Sequence, residues 1–169
     1  VIDLFDCDFR GLAEKTNAAV FTMGQETSLQ LNPFAIDGLS DCEIREFAKD
    51  YIMTTLALGV PLDSFILQAM REYYKTDVSR DAEHFRSYAL HYYKLKNTYG
   101  PDVGKDMFGV LDARLMKLHE CMTGKKPFQS ASLLRNNSIV ELAGIGSVES
   151  RAMVVSYILR LLLVLKKKA

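Results

Sequence analysis

The chain has 169 residues, 49% of them hydrophobic and 25% charged, with 21 basic residues balanced by 21 acidic ones. This length and composition suit one folded domain with a sizeable core, and a formal net charge of zero removes any whole-chain electrostatic argument for nucleic-acid binding. Three widely spaced cysteines, Cys7, Cys42 and Cys121, argue against a disulfide framework and for a reducing compartment, and no signal-peptide pattern opens the chain.

Val1 to Phe5 is a short apolar run that reads as a strand, passing into an acidic turn with Asp6 and Asp8. A brief helix follows around Phe9 to Lys15, then a second apolar run, Ala18 to Met23. Continuous apolar runs of this length mark strands buried on both faces, as in a parallel α/β sheet.

From Ser40 the hydrophobic period changes to that of helices. "SDCE" places Ser40 at an N-cap with Glu43 three residues on, a capping box. Ile44, Phe47, Ala48, Tyr51, Ile52 and Thr55 then form one face, and Gly59 and Pro61 end the helix. Leu62, Phe65, Ile66, Ala69, Met70 and Tyr73 define a second helix. A third spans Asp81 to Lys96 with Phe85, Tyr88, Ala89, Tyr92 and Leu95 inward, broken by "YGPDVG". A fourth spans Asp106 to Met122 with Val110, Leu111, Leu115 and Leu118 inward. Most aromatics here follow the packing period of a helical core, whereas Tyr74 and Tyr93 fall off these inner faces, which leaves them as the ones to watch for stacking against nucleic acid.

The strand pattern returns at Ile139 to Leu142, followed by Gly144 and Gly146, and Ser147 caps a long helix from Val148 to about Lys166. The apolar run in that helix, Met153 to Leu165, contains Arg160 and is shorter than the ~20 residues a membrane span requires. The fold expected is an α/β fragment dominated by helices: a partial parallel sheet of two or three strands with an inserted four-helix domain. The expected boundaries are 1–36 for a partial α/β core, 37–128 for the helical insert and 129–169 for the return to the core.

Most chemical signatures are missing. Gly104-Lys105 and Gly124-Lys125 lack both the earlier glycine and the following Ser or Thr of a phosphate loop, and no G-x-G-x-x-G occurs. The apolar strand ending in Asp-Glu that would hold magnesium is also absent, so no nucleotide-binding residue is assigned. His84 and His91 are seven apart, unlike ligands on adjacent turns, and His119 and Cys121 are out of line with each other, so no metal ligand is assigned. No G-x-S-x-G elbow occurs. Asp6 and Asp8 can be read as a catalytic pair, although acids at a helix N-terminus favour its dipole and explain them more simply.

The order of the segments is familiar. "DLFDCDFRGLAEKTNAAVFTM", "LNPFAIDGL", a run of helices, "DARLMKLHECMTGKKPFQ" and "SIVELAGIGSVESRAMVVSYILRLLL" succeed one another. Together they resemble the HerA-like and conjugative type IV secretion (TraC-like) ATPases of the FtsK–HerA superfamily. The likeness covers essentially the whole chain as ordered segments. Cys7 stands where the family's proline follows the first acid, and "GKKPF" replaces its "G-x-G" before phenylalanine.

The resemblance implies the segment between the two nucleotide motifs of an ATP-driven motor. ATP and Mg would be held by parts before Val1 and after Ala169, not by this chain, which would not be active alone. A hexameric ring moving DNA or a secreted protein is implied, placed in the cytoplasm or peripheral to the inner membrane. Asp6, Asp8 and Glu141 become catalytic candidates at strand ends. Arg114 and Arg151 match arginines of the family's helices and become candidates for the subunit interface or an arginine finger, with surface ion pairing the simpler account of both. Two other readings stand beside this one: a helical module that binds a partner protein without enzyme activity, and a small enzyme using Asp6 and Asp8.

Overall fold

A computed structural model describes residues 1–3, 9–23, 29–124, 126–130, 132–135 and 137–167. Asp6, Asp8 and the end of the first predicted strand lie outside the described residues. Among the described residues five strands and seven helices follow in the order β1 (Ile2–Asp3), α1 (Arg10–Thr16), β2 (Ala19–Thr22), β3 (Leu29–Gln30), α2 (Asp41–Leu56), α3 (Leu62–Tyr73), α4 (Ala82–Lys96), α5 (Pro101–Met122), β4 (Lys126–Pro127), α6 (Ser132–Arg135), β5 (Ser138–Glu141) and α7 (Val148–Lys166).

The predicted strands assemble into a three-stranded parallel sheet of order β1-β5-β2. The last strand in sequence is thus the central one. It aligns Val140 with both Ile2 and Phe21, and Glu141 with both Asp3 and Thr22. Parallel partners in register share a face, so Ile2, Val140 and Phe21 form one apolar face, which packs into the main core. The chain is helix-dominated with a partial parallel sheet, and α2 to α5 intervene between β2 and β5. A second, two-stranded parallel pair, β3 with β4, was not legible in the sequence. There Gly124 runs so close to the chain that a Cβ would fall within 2.5 Å of Leu29 O and Gln30 N.

Helix starts follow the expected chemistry. The Ser40 backbone N–H donates to Glu43 Oε2 at 2.8 Å while the Glu43 N–H donates to Ser40 Oγ, completing the capping box. Asp81 caps α4 through the His84 N–H at 2.8 Å, and Ser147 caps α7 through the Ser150 N–H at 3.0 Å. α5 departs from expectation. It begins at Pro101, whose missing N–H and fixed φ suit the first helical position, and not at Asp106. Gly104 is therefore helical; a side chain there would strike Asn97.

That earlier start explains a second difference. Tyr93 is buried, because its hydroxyl donates to Gly104 O at 3.2 Å in the first turns of α5, and its ring meets Phe65 and Phe108. Leu95 is instead 66% exposed, and Val110 also faces solvent. Tyr74 is buried too, under the guanidinium groups of Arg45 and Arg80 at 5.0 and 5.4 Å from its ring centre.

A single hydrophobic core runs from the sheet through the helices. Phe34, Tyr73 and Phe85 pack ring against ring at 4.9 to 5.6 Å. α7 packs on α2, α5 and α6, burying Met153, Val154, Tyr157, Ile158, Leu161 and Leu165. Among the described residues no helix is long and apolar enough to cross a membrane.

The "LNPF" stretch ties these parts together. Asn32 Nδ2 donates to Arg80 O at 2.7 Å, its Oδ1 accepts from the Phe34 N–H at 3.0 Å, and its carbonyl accepts from the Tyr157 hydroxyl at 3.2 Å. Asn32→Ala leaves the first two partners unmatched, so we expect a loss of about 1–3 kcal/mol in unfolding free energy by urea titration, with secondary structure by circular dichroism unchanged.

Candidate functional site

Ligand sites in open α/β sheets lie at the carboxyl ends of the strands. The carboxyl ends of β2 and β5 carry Thr22 and Glu141 side by side. Glu141 sits in an apolar strand, and a buried carboxylate there requires partners. Arg10, the first residue of α1, supplies a two-pronged one: its Nε donates to Oε1 at 3.0 Å and its Nη2 to Oε2 at 3.1 Å. Thr22 Oγ1 donates to Oε2 at 3.0 Å. The Glu141 side chain is 11% exposed and that of Arg10 68%.

The electrostatics follow from this geometry. The Arg10 hydrogen bonds hold the Glu141 carboxyl below the ordinary glutamate range, burial opposes them, and the Thr22 hydroxyl adds to the lowering. A general base works best with a pKa near the working pH. Glu141 is shifted the other way and stays ionised with its oxygens engaged. The arrangement suits a clamp that pins α1 onto the sheet.

The remaining sequence candidates fall elsewhere. Asp6 and Asp8 lie outside the described residues. Arg114 Nη1 pairs with Glu149 Oε1 at 2.7 Å, and Lys117 pairs with the other oxygen of the same carboxylate. Lys117 first, then Arg114, hold that carboxyl low against the effect of burial. The trio joins α5 to the first turn of α7. Arg151 Nε donates to Ile145 O at 2.8 Å, bracing the loop between β5 and α7. Arg10, Thr22 and Glu141 are therefore brought together, whereas Arg114 and Arg151 serve the α7 entrance.

Among the described residues no group of three or more His, Cys, Asp or Glu side chains converges on one point. His84 Nδ1 lies 2.8 Å from its own N-cap, Asp81 Oδ2. Burial pushes the Cys121 thiol up, away from thiolate reactivity, and its sulfur lies 3.8 Å from that of Met153.

Sequence reasoning missed Arg10 as a functional partner. The only available signal was indirect: an acid inside a buried strand demands a cation, but nothing local names which one.

The clamp has a defined pH dependence. A carboxyl held below its unfolded value stabilises the fold fully above the unfolded pKa, and that contribution is lost as pH falls through the lower, folded value. Glu141→Gln should remove this part of the acid-side slope in a plot of Tm against pH. At neutral pH it should cost about 1 kcal/mol, a small figure because Arg10 is largely solvated. An unchanged slope would show that Glu141 does not carry the acid sensitivity.

Comparison of the chain with protein-family models, curated proteins and solved structures finds no match.

Proposed function

We propose that this chain is the segment of an ATP-driven translocase motor of the HerA-like and TraC-like kind that lies between its two nucleotide motifs. The observation that carries the reading is the sheet. A three-stranded, all-parallel sheet whose central strand arrives last, after a helical insert, is the arrangement expected of a piece of a larger α/β core.

Surface features support it. Parallel sheets are normally covered on both faces. On the face opposite the main core, α1 leaves Leu12 and Val20 exposed. Leu159 and Leu163, one turn apart on α7, also face solvent. A larger core would cover such surfaces.

Among the described residues no group of three or more His, Cys, Asp or Glu side chains gathers as a metal ligand set. The sequence has no phosphate loop, and Glu141 at the sheet's carboxyl end is engaged by Arg10 and Thr22. In this reading ATP and its metal belong to the flanking segments, and the present chain contributes scaffold and insert. Assembly into a ring, a DNA or protein substrate, and a place in the cytoplasm or peripheral to the inner membrane belong to the same proposal.

Calorimetry with a non-hydrolysable ATP analogue tests the reading. Binding is expected for a polypeptide extended on both sides of residues 1–169 and not for the chain alone. Binding by the chain alone would place the nucleotide site within it, and binding by neither would remove the motor reading.

A further inference from the structure

The sequence accepts an electrostatic cost on one side of the helical insert. Arg45 and Lys49 stand one turn apart on α2, and Arg71 and Lys75 one turn apart on α3 and its end. Like charges at this spacing within α2 oppose helix formation, and Arg71 and Lys75, at the carboxyl end of α3, line the same cleft of about 530 Å³ as Arg45 and Lys49. Glu46 and Glu72 share the cleft, and each is taken by a lysine: Lys49 Nζ to Glu46 at 2.9 Å and Lys75 Nζ to Glu72 at 2.7 Å. Among the described residues neither Arg45 nor Arg71 has a carboxylate partner. Glu46 raises the pKa of Lys49, and Arg71 works against that.

The floor is apolar. Leu67, Met70 and Tyr74 line it, with Met70 and Tyr74 buried. Tyr74 is 9% exposed, and its hydroxyl is buried without a hydrogen-bond partner among the described residues. An unmatched buried hydroxyl is a further cost. A segment that carries several local conflicts at one place marks function more readily than packing. The volume falls within the roughly 300–1,000 Å³ of ligand clefts.

The chemistry of the walls selects the occupant. Nucleic acid held by stacking needs a free aromatic face, but Arg45 and Arg80 both lie over the Tyr74 ring. An apolar side chain flanked by carboxylates fits both the floor and the rim. The planar fork of arginine suits a carboxylate, and methionine adapts to varied apolar shapes.

We propose that the cleft between α2 and α3 binds an acidic peptide segment, seating one apolar side chain on Leu67 and Met70 and its flanking carboxylates on Arg45 and Arg71. This site lies on other elements than the Arg10–Glu141 clamp, and it does not depend on the translocase reading.

Fluorescence anisotropy with short labelled peptides of Asp and Glu carrying a central Leu or Phe tests it. The whole chain should bind these peptides, and Arg71→Glu with Lys75→Glu should weaken binding by at least about tenfold. Both side chains are exposed, so that double variant should stay folded by circular dichroism, with a small fall in Tm from the Lys75–Glu72 pair it gives up and the run of acids it places at the end of α3. Replacing the central Leu by Ser should also weaken binding. Added salt should weaken the wild-type complex and have less effect on what binding the variant retains. The proposal is overturned if none of the peptides binds, if the charge-reversed chain binds as well as wild type, or if a single-stranded oligonucleotide binds the cleft more tightly than the peptides.

Discussion

Asn32 is the residue on which the meeting of sheet, insert and final helix depends. Its side chain satisfies a carbonyl in the α3–α4 connection and a backbone N–H two residues on, while its carbonyl receives the hydroxyl of Tyr157 from α7. Three segments far apart in sequence thereby meet at one amide. Leu31 and Phe34 on either side are almost fully buried, so the polar junction is enclosed by apolar packing. A partly buried polar junction of this kind favours one arrangement because a shift leaves donors or acceptors unmatched. This gives "LNPF" a physical reason to exist at the entrance to the insert: the asparagine fixes direction and the phenylalanine enters the aromatic cluster of α3 and α4.

The consequence is mechanical. α7 follows directly from the central strand and packs on both α2 and α5. Tyr51 of α2 reinforces this by donating to Met153 O at 3.1 Å. The insert is thus held to the sheet through a long helix and not only through its two chain connections. Close-packed interiors transmit displacement instead of absorbing it. Movement at the sheet would carry the helices with it, a coupling that the proposed motor role would use and that a flexibly tethered domain would lack.

Sequence reading succeeded where a local signal and the tertiary context agreed. The caps at Ser40 and Ser147, the long helix after Ser147 and the three apolar strands all belong to this class. It failed where a residue's meaning depended on a neighbour distant in sequence. Gly104 reads as a breaker until Asn97 is seen to leave no room for a side chain. Once α5 starts at Pro101, Tyr93 gains a partner on its first turns and rotates inward, and Leu95 is left outside. Tyr74 looked free because nothing local announces that Arg45 and Arg80 would cover it. The two-residue strands β3 and β4 are too short to carry a period at all. At the candidate site, Glu141 was legible as an acid in need of a partner, whereas Arg10 became its partner only through the parallel register.

The two charged places in the molecule solve opposite problems. At the sheet, one carboxylate meets one guanidinium and one hydroxyl, and its bonds close within the fold. Little is left for a ligand to gain there. Between α2 and α3 the balance stays open: two lysines spend their charge on two glutamates, while Arg45 and Arg71 face the cleft without a carboxylate. A net charge of zero for the whole chain hides this contrast, because the surplus on one groove is offset elsewhere. Stability alone would favour neutralising that groove, as the sheet has neutralised Glu141. That it remains cationic over an apolar floor is most simply understood if the missing carboxylates arrive on another molecule.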